Sequence, residues 1–184
     1  MCNNIAQIYN SRSVYDSALI FLRRSLSLHR QTNLASGEAD ACHNIASTHL
    51  YLSQPDSALW YMRKAISIAS ETETPVPPEY FLVLGNIWQS LGNYDKALSN
   101  SLKAYRLGRE KDLPLIVSDA SLLLSDISVK RGREDLAYRY LREHMQLRDS
   151  ISNDQFLKQI TRMEIQYDFD KKQEAAEYAR LQER

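Results

Sequence analysis

The chain repeats itself, and that limits what it can fold into more than any other feature. Four short segments align: Tyr15-Asp16-Ser17-Ala18-Leu19, Pro55-Asp56-Ser57-Ala58-Leu59, Tyr94-Asp95-Lys96-Ala97-Leu98 and Glu134-Asp135-Leu136-Ala137-Tyr138. Their alanines, at 18, 58, 97 and 137, stand 40, 39 and 40 residues apart. Upstream of each lies a second matching piece: Cys2-Asn3-Asn4-Ile5-Ala6, Cys42-His43-Asn44-Ile45-Ala46, Phe81-Leu82-Val83-Leu84-Gly85 and Ser121-Leu122-Leu123-Leu124-Ser125. Agreement at two places in four registers marks an array of similar units, each burying its apolar face against its neighbours.

Within a unit the apolar period is helical. In the third, Phe81, Leu84, Ile87, Trp88 and Leu91 recur at helical spacing until Gly92-Asn93 interrupts, and Tyr94, Ala97, Leu98 and Leu102 begin a second amphipathic stretch. The chain has only five Gly and five Pro, and its prolines (Pro55, Pro75, Pro77, Pro78 and Pro114) fall at breaks in the pattern. An all-α protein of helix pairs follows. A recurring alanine suits a crossing at which two helices approach within about 8–10 Å. The aspartate two places earlier suits a first helical turn, where a carboxylate offsets the macrodipole.

With these residues in place, the chain resembles the tetratricopeptide repeat family. The third unit carries the signature most fully, in Leu84-Gly85, Trp88, Gly92, Tyr94, Ala97 and Ala104; the fourth carries it least, with Ser128 and His144 where the family prefers an aromatic and an alanine. The resemblance implies a right-handed α-α superhelix of about four helix pairs over residues 1–150, in units of about 1–36, 37–77, 78–114 and 115–150, followed by a long C-terminal helix over 151–184. The family period is 34, so the surplus here is expected in longer connections such as 32–37 and 72–78. Residue 1 falls inside the first helix of a unit, so further repeats are expected upstream of it.

From about Asn153 the chain has neither Gly nor Pro and reads as one helix. Phe156, Ile160, Met163 and Tyr167 form a narrow stripe, expected to pack on the fourth unit. Beyond Asp168 the helix is charged, with Asp168–Lys172 and Glu177–Arg180 as supporting pairs. Ile165 and Phe169 lie on the opposite face, where a second copy could cover them in a homodimer. This tail is similar to the region that leads from the repeats to the output domain in tetratricopeptide signalling proteins of Bacteroidetes type. The resemblance implies the sensory region of a sensor histidine kinase in a two-component system or of a transcriptional regulator; a stand-alone adaptor or assembly factor is the alternative. A membrane-anchored kinase would place the repeats in the periplasm, and otherwise they would be cytoplasmic.

Catalytic and cofactor chemistry is not expected. There is no glycine-rich phosphate loop and no nucleophile motif. His43 and His49 are six residues apart and face different ways on a helix, unlike the i,i+4 pair of a zinc helix. Cys2 and Cys42 occupy equivalent places on neighbouring helices about 8–10 Å apart, beyond the roughly 7 Å reach of a disulfide, and read as small apolar residues. The run Lys130-Arg131-Gly132-Arg133 reads as a solvated corner. With 23 basic and 23 acidic residues, net charge gives no reason to expect nucleic acid or an anionic membrane as a partner. No apolar run approaches the ~20 residues of a membrane-spanning helix.

The resemblance implies a protein or peptide ligand in a concave groove lined by first helices. Carrying the family's groove-facing places onto this chain gives Asn3 and Gln7 in the first unit, and Asp40, His43, Ser47 and Tyr51 in the second. It gives Glu79, Asn86 and Ser90 in the third, and Asp119 and Asp126 in the fourth. This set is polar, with four carboxylates and no Lys or Arg. Leu82, Asn86 and Ser90 stand where the family's basic carboxylate clamp would need cations, so a neutral or basic extended segment is the expected ligand.

Overall fold

A computed structural model describes residues 2–182, and among them there is no strand. Within those residues eight helices follow one another: α1 Cys2–Ser11, α2 Tyr15–Gln31, α3 Ala35–Tyr51, α4 Pro55–Glu71, α5 Pro78–Ser90, α6 Tyr94–Glu110, α7 Pro114–Lys130 and α8 Glu134–Gln182. Proline stands at the start of α4, α5 and α7, where its missing N–H would have had no helical partner. Asp16, Asp56, Asp95 and Asp135 sit in the first turns of α2, α4, α6 and α8, as the dipole argument expects.

Six of the seven connections are three residues long, and in each the central residue has positive φ: Ser13, Asn33, Ser53, Gly92, Asp112 and Gly132. A single left-handed residue turns the chain back, and the N–H at the end of each connection returns to the last turn of the preceding helix, as Gln54 N–H does to His49 C=O at 2.9 Å. Longer connections therefore do not account for the 40-residue period. Residues 35–37, expected in a loop, form the first turn of α3, and the surplus lies in helices of 17 residues. The one long connection is 72–77, where Pro75, Pro77 and Pro78 delay α5 until residue 78 and leave it 13 residues long. A connection three residues longer and a helix four residues shorter explain why one spacing is 39 and not 40.

The fourth unit closes differently. Ser118, Ser121, Ser125 and Ser128 form a buried stripe on α7, and the first three bond to α8. Ser121 Oγ donates to Glu143 at 3.1 Å, Ser118 Oγ meets His144 Nδ1 at 3.0 Å, Ser125 Oγ donates to the Ala137 carbonyl at 2.9 Å, and Ser128 Oγ donates to the Leu124 carbonyl at 2.6 Å. Tyr105 of α6 also donates to Glu143, at 2.9 Å. The polar residues that weaken the sequence signature here are thus hydrogen-bonded within a polar seam.

Those pairings run antiparallel and bring the start of α7 opposite residues near 150. The helix α8 passes that point without a break and extends for about another 48 Å at ~1.5 Å per residue. The boundary drawn at 150 falls inside a helix. Met163, expected against the fourth unit, is 73% exposed, and Leu157, Ile165 and Phe169 are also exposed. The reason is reach, because α7 has only 17 residues to offer as a partner. The side chains of Phe156, Ile160 and Tyr167, and the pairs Asp168–Lys172 and Glu177–Arg180, lie outside the described residues.

Consecutive helices pack in antiparallel pairs, and α1, α3, α5 and α7 lie side by side as one layer. Each pair crosses where both helices are small. Ala6, Ala46, Gly85 and Ser125 on the first helices and Ala18, Ala58, Ala97 and Ala137 on the second are all buried. Around them Leu22, Ile45, Met62, Ile87 and Leu124 are fully enclosed, each contributing about 1.5–3 kcal/mol of apolar transfer. Ala97 is 0% exposed while Ser99 is exposed. Ala97→Leu is therefore expected to destabilise by roughly 1–3 kcal/mol through overpacking, and Ser99→Leu by little. Urea melts of the two variants check this; equal losses would refute the helix pairing.

Candidate functional site: a two-part hollow on the odd-numbered helices

The layer of α1, α3, α5 and α7 presents one stripe from each helix, because residues three and four apart share a helical face. Between the stripes lie two hollows. The first, about 470 Å³, is bounded by α3, α5 and α7. Ser47, Tyr51, Asn86, Ser90, Asp119 and Asp126, all expected in the groove, line it. The second, about 380 Å³, is bounded by α1, α3 and the start of α5. The other five expected residues, Asn3, Gln7, Asp40, His43 and Glu79, line that one.

The first hollow is less polar than the sequence suggests. Leu50, Leu82, Val83, Leu122 and Leu123 form its floor, and Leu122 is 38% exposed. Sequence reasoning placed Leu82 in the groove, at a clamp position, and did not name Leu50, Val83, Leu122 or Leu123 as lining; the signal that could have found them is an apolar stripe wider than one packing face requires. Some of the polar lining is already engaged, since Ser47 Oγ donates to the His43 carbonyl at 3.1 Å and Asn86 Nδ2 to the Leu82 carbonyl at 3.1 Å. Tyr51 stacks on Tyr15 at the rim, with ring centroids 5.5 Å apart. Half-burial raises the Asp119 carboxyl above its ordinary value, and Arg148 and His144 of α8 pull it back. Arg148 is a cation near the groove that the stripe of first-helix residues could not disclose.

The second hollow is lined mainly by polar side chains. The imidazole of His43 stacks on Tyr80, with centroids 4.7 Å apart, and Tyr80 donates to Asp40 at 3.0 Å. Burial raises the Tyr80 hydroxyl well above its usual range, and Asp40 adds to that. Burial also lowers the His43 imidazole, against an opposing pull from Asp40 and Glu79. Tyr80, Asn4, Asn44 and Pro77 belong to this hollow as well and were not read as site residues.

The remaining candidates behave as structure. His49 meets Gln54 at 2.8 Å and stacks on Tyr61, so it points away from His43. Cys42 is a buried free thiol, pushed up to about 11 by desolvation. Arg131 of the basic corner pairs with Asp95. Among the described residues no cluster of His, Cys, Asp and Glu has the arrangement of a metal site.

His43 gives this hollow a pH signature. Its pKa is lowered in the folded chain, so between the folded value and the unfolded value of about 6.5 the unfolded chain binds more protons. Stability should be at its full value above about pH 6.5 and should fall as pH drops below it. His43→Phe keeps the stack on Tyr80 and removes the titration. Urea midpoints at about pH 7.5 and pH 5.5 are expected to differ less in the variant than in the parent chain; an unchanged difference would refute the assignment.

Comparison with known proteins agrees with this architecture. The tetratricopeptide repeat family matches residues 1–34 and again residues 39–72. No match was found among curated proteins. Among solved structures, BtubC (BKLC) from P. vanneervenii superposes with a TM-score of 0.65 at 17% identity, over 82% of this chain and 63% of that one. This chain therefore spans less than two thirds of the BtubC chain. MamA gives 0.58 at 16% identity, over 83% of this chain and 79% of its own. The apo form of RapI gives 0.55 at 16% identity, over 81% and 67%. At such identities the likeness speaks for the fold. Residues 1–34 and 39–72 match the tetratricopeptide repeat family, whose members are generally non-enzymatic and mediate protein–protein interaction, and the chain has the fold of a tetratricopeptide solenoid.

Proposed function

We propose that this chain binds an extended protein or peptide segment along the odd-helix face, as the sensory or interaction region of a larger signalling protein. The observation that carries the binding reading is the first hollow, an apolar floor of five residues with Asp119 and Asp126 beside it. A segment with an apolar side chain next to a lysine or arginine would satisfy both. Panning a random peptide library is expected to retain such sequences. The double change Asp119→Lys with Asp126→Lys should weaken them at least tenfold while leaving the circular dichroism spectrum intact. Unaltered affinity would move the site off this face.

The signalling context rests on α8. Repeats over 1–150 would form the sensor, and the helix from 151 would carry its state onward to a kinase or a DNA-binding output. Among the described residues no helix is long and apolar enough to cross a membrane, so a span would have to lie outside them. The coding sequence past Arg184 tests this: a membrane span or an output domain supports the signalling reading, and an immediate stop codon replaces it with the adaptor. Exposed Ile165 and Phe169 would be covered by a second copy of the helix in a homodimer. Ending the chain at Ser152 is therefore expected to leave the urea midpoint nearly unchanged while converting a dimer to a monomer in sedimentation. A monomeric full chain would remove the dimer, and a sharp loss of stability on truncation would mean that the tail packs on the repeats after all.

A further inference from the structure

The second hollow holds three buried polar atoms with no hydrogen-bond partner: Asn3 Oδ1, His43 Nε2 and Glu79 Oε2. They come from α1, α3 and α5, three separate units, and all three residues line the same space. A buried polar atom left unpaired costs about 1–3 kcal/mol, more when charged, and folded chains leave few of them. Three at one place mark a site shaped for something that supplies hydrogen bonds.

The chemistry of that ligand follows from the lining. Among the described residues, Asp40 and Glu79 are the charged groups of the hollow, and no Lys or Arg lines it. The Asn3 and Glu79 atoms are acceptors only. Desolvation keeps the His43 imidazole neutral at ordinary pH, so its ring does not offset the two carboxylates. A ligand here must donate several hydrogen bonds and carry positive charge. A bare metal ion is a poor candidate, because among the described residues no group of three His, Cys, Asp or Glu side chains could hold one. The volume of about 380 Å³ lies at the low end of small-ligand pockets, suited to a head group and a short stem.

We infer that the hollow between α1, α3 and α5 binds an organic cation with a primary ammonium or guanidinium group, held by Asn3, His43 and Glu79. The ammonium or guanidinium N–H groups donate to Asn3 Oδ1, to Glu79 Oε2 and to the lone pair on His43 Nε2, while Asp40 adds charge from the side. Such a group can come from a free small amine or from a lysine or arginine side chain of a bound peptide. The site stands on residues separate from those of the first hollow, which carries the peptide-binding reading.

The test uses the whole chain with n-butylammonium, n-butylguanidinium and neutral n-butanol, together with a short capped peptide containing one lysine. The His43 ring proton is followed by nuclear magnetic resonance, and affinity by calorimetry. Saturable shifts with the cations and none with butanol are expected. Glu79→Gln and His43→Phe should each weaken binding at least tenfold with an unchanged circular dichroism spectrum. Comparable affinities for the butyl cations and the peptide would identify the free amine as the source. A peptide at least tenfold tighter would identify the basic side chain. The inference is overturned if no probe shifts His43 saturably, or if both variants bind like the parent. Should library peptides still depend on Asp119 and Asp126 in that event, the peptide-binding reading survives and this site alone falls.

Discussion

The architecture depends on how closely neighbouring helices are allowed to approach. Gly85 shows the limit: a Cβ built there would lie 2.5 Å from Ser101 Oγ on α6 and 2.9 Å from Leu123 Cδ2 on α7. One missing methyl group therefore sets two interfaces, one within the third unit and one to the fourth. Gly37 plays the same part between units, where a Cβ would strike the His29 ring at 2.3 Å. In a close-packed interior such clashes oblige the facing side chains, or the helices that carry them, to shift. Because each unit touches only its neighbours, a shift at one crossing would be passed along the stack to the layer that carries both hollows.

That constraint was legible in the sequence, because small residues recurring at a fixed interval are what a stack of close helix crossings requires. The turns were not. Only Gly92 and Gly132 announce a left-handed residue; Ser13, Asn33, Ser53, Glu73 and Asp112 adopt the same conformation without being glycine. An isolated left-handed residue costs an L-amino acid about 1–2 kcal/mol, little enough for helix pairing to impose it. Composition therefore suggested long loops where the chain uses tight turns and longer helices. Ser128 and His144 misled in the opposite direction, looking like a decayed repeat: His144 meets Ser118, 26 residues away in the chain, and Ser128 bonds back to the Leu124 carbonyl within α7.

The groove was half legible for a related reason. Stripes such as Asp40, His43, Ser47 and Tyr51 follow from helical geometry once first helices are assigned inward, and all eleven expected residues line one hollow or the other. Which of their neighbours remain uncovered is a property of the gap between helices, and sequence does not encode that gap locally. Leu122 and Leu123 were not expected there and lie on an open floor beside Leu82. Nor could Asn3, His43 and Glu79 be recognised as one group, since they stand on three helices about one repeat apart.

The position of the polar hollow and the single spacing of 39 have a common cause. The prolines at 75, 77 and 78 replace the first turn that α5 would have had with an extended segment, in which Pro77 has φ −60° and ψ 146°. A full-length α5 would carry its first turn up beside α3, as α3 and α7 do within their own pairs. Its absence leaves Pro77 and Glu79 to line the hollow with Asp40 and His43, while Tyr80 bonds to Asp40 and stacks on His43. Glu79 then sits in the first helical turn, where its carboxylate is favoured by the dipole yet has one oxygen buried without a partner. A loop that merely spaced two repeats would have no reason to enclose an unpaired carboxylate and an unpaired imidazole. The deleted turn is thus better understood as the feature that opens this hollow than as a slip in the repeat.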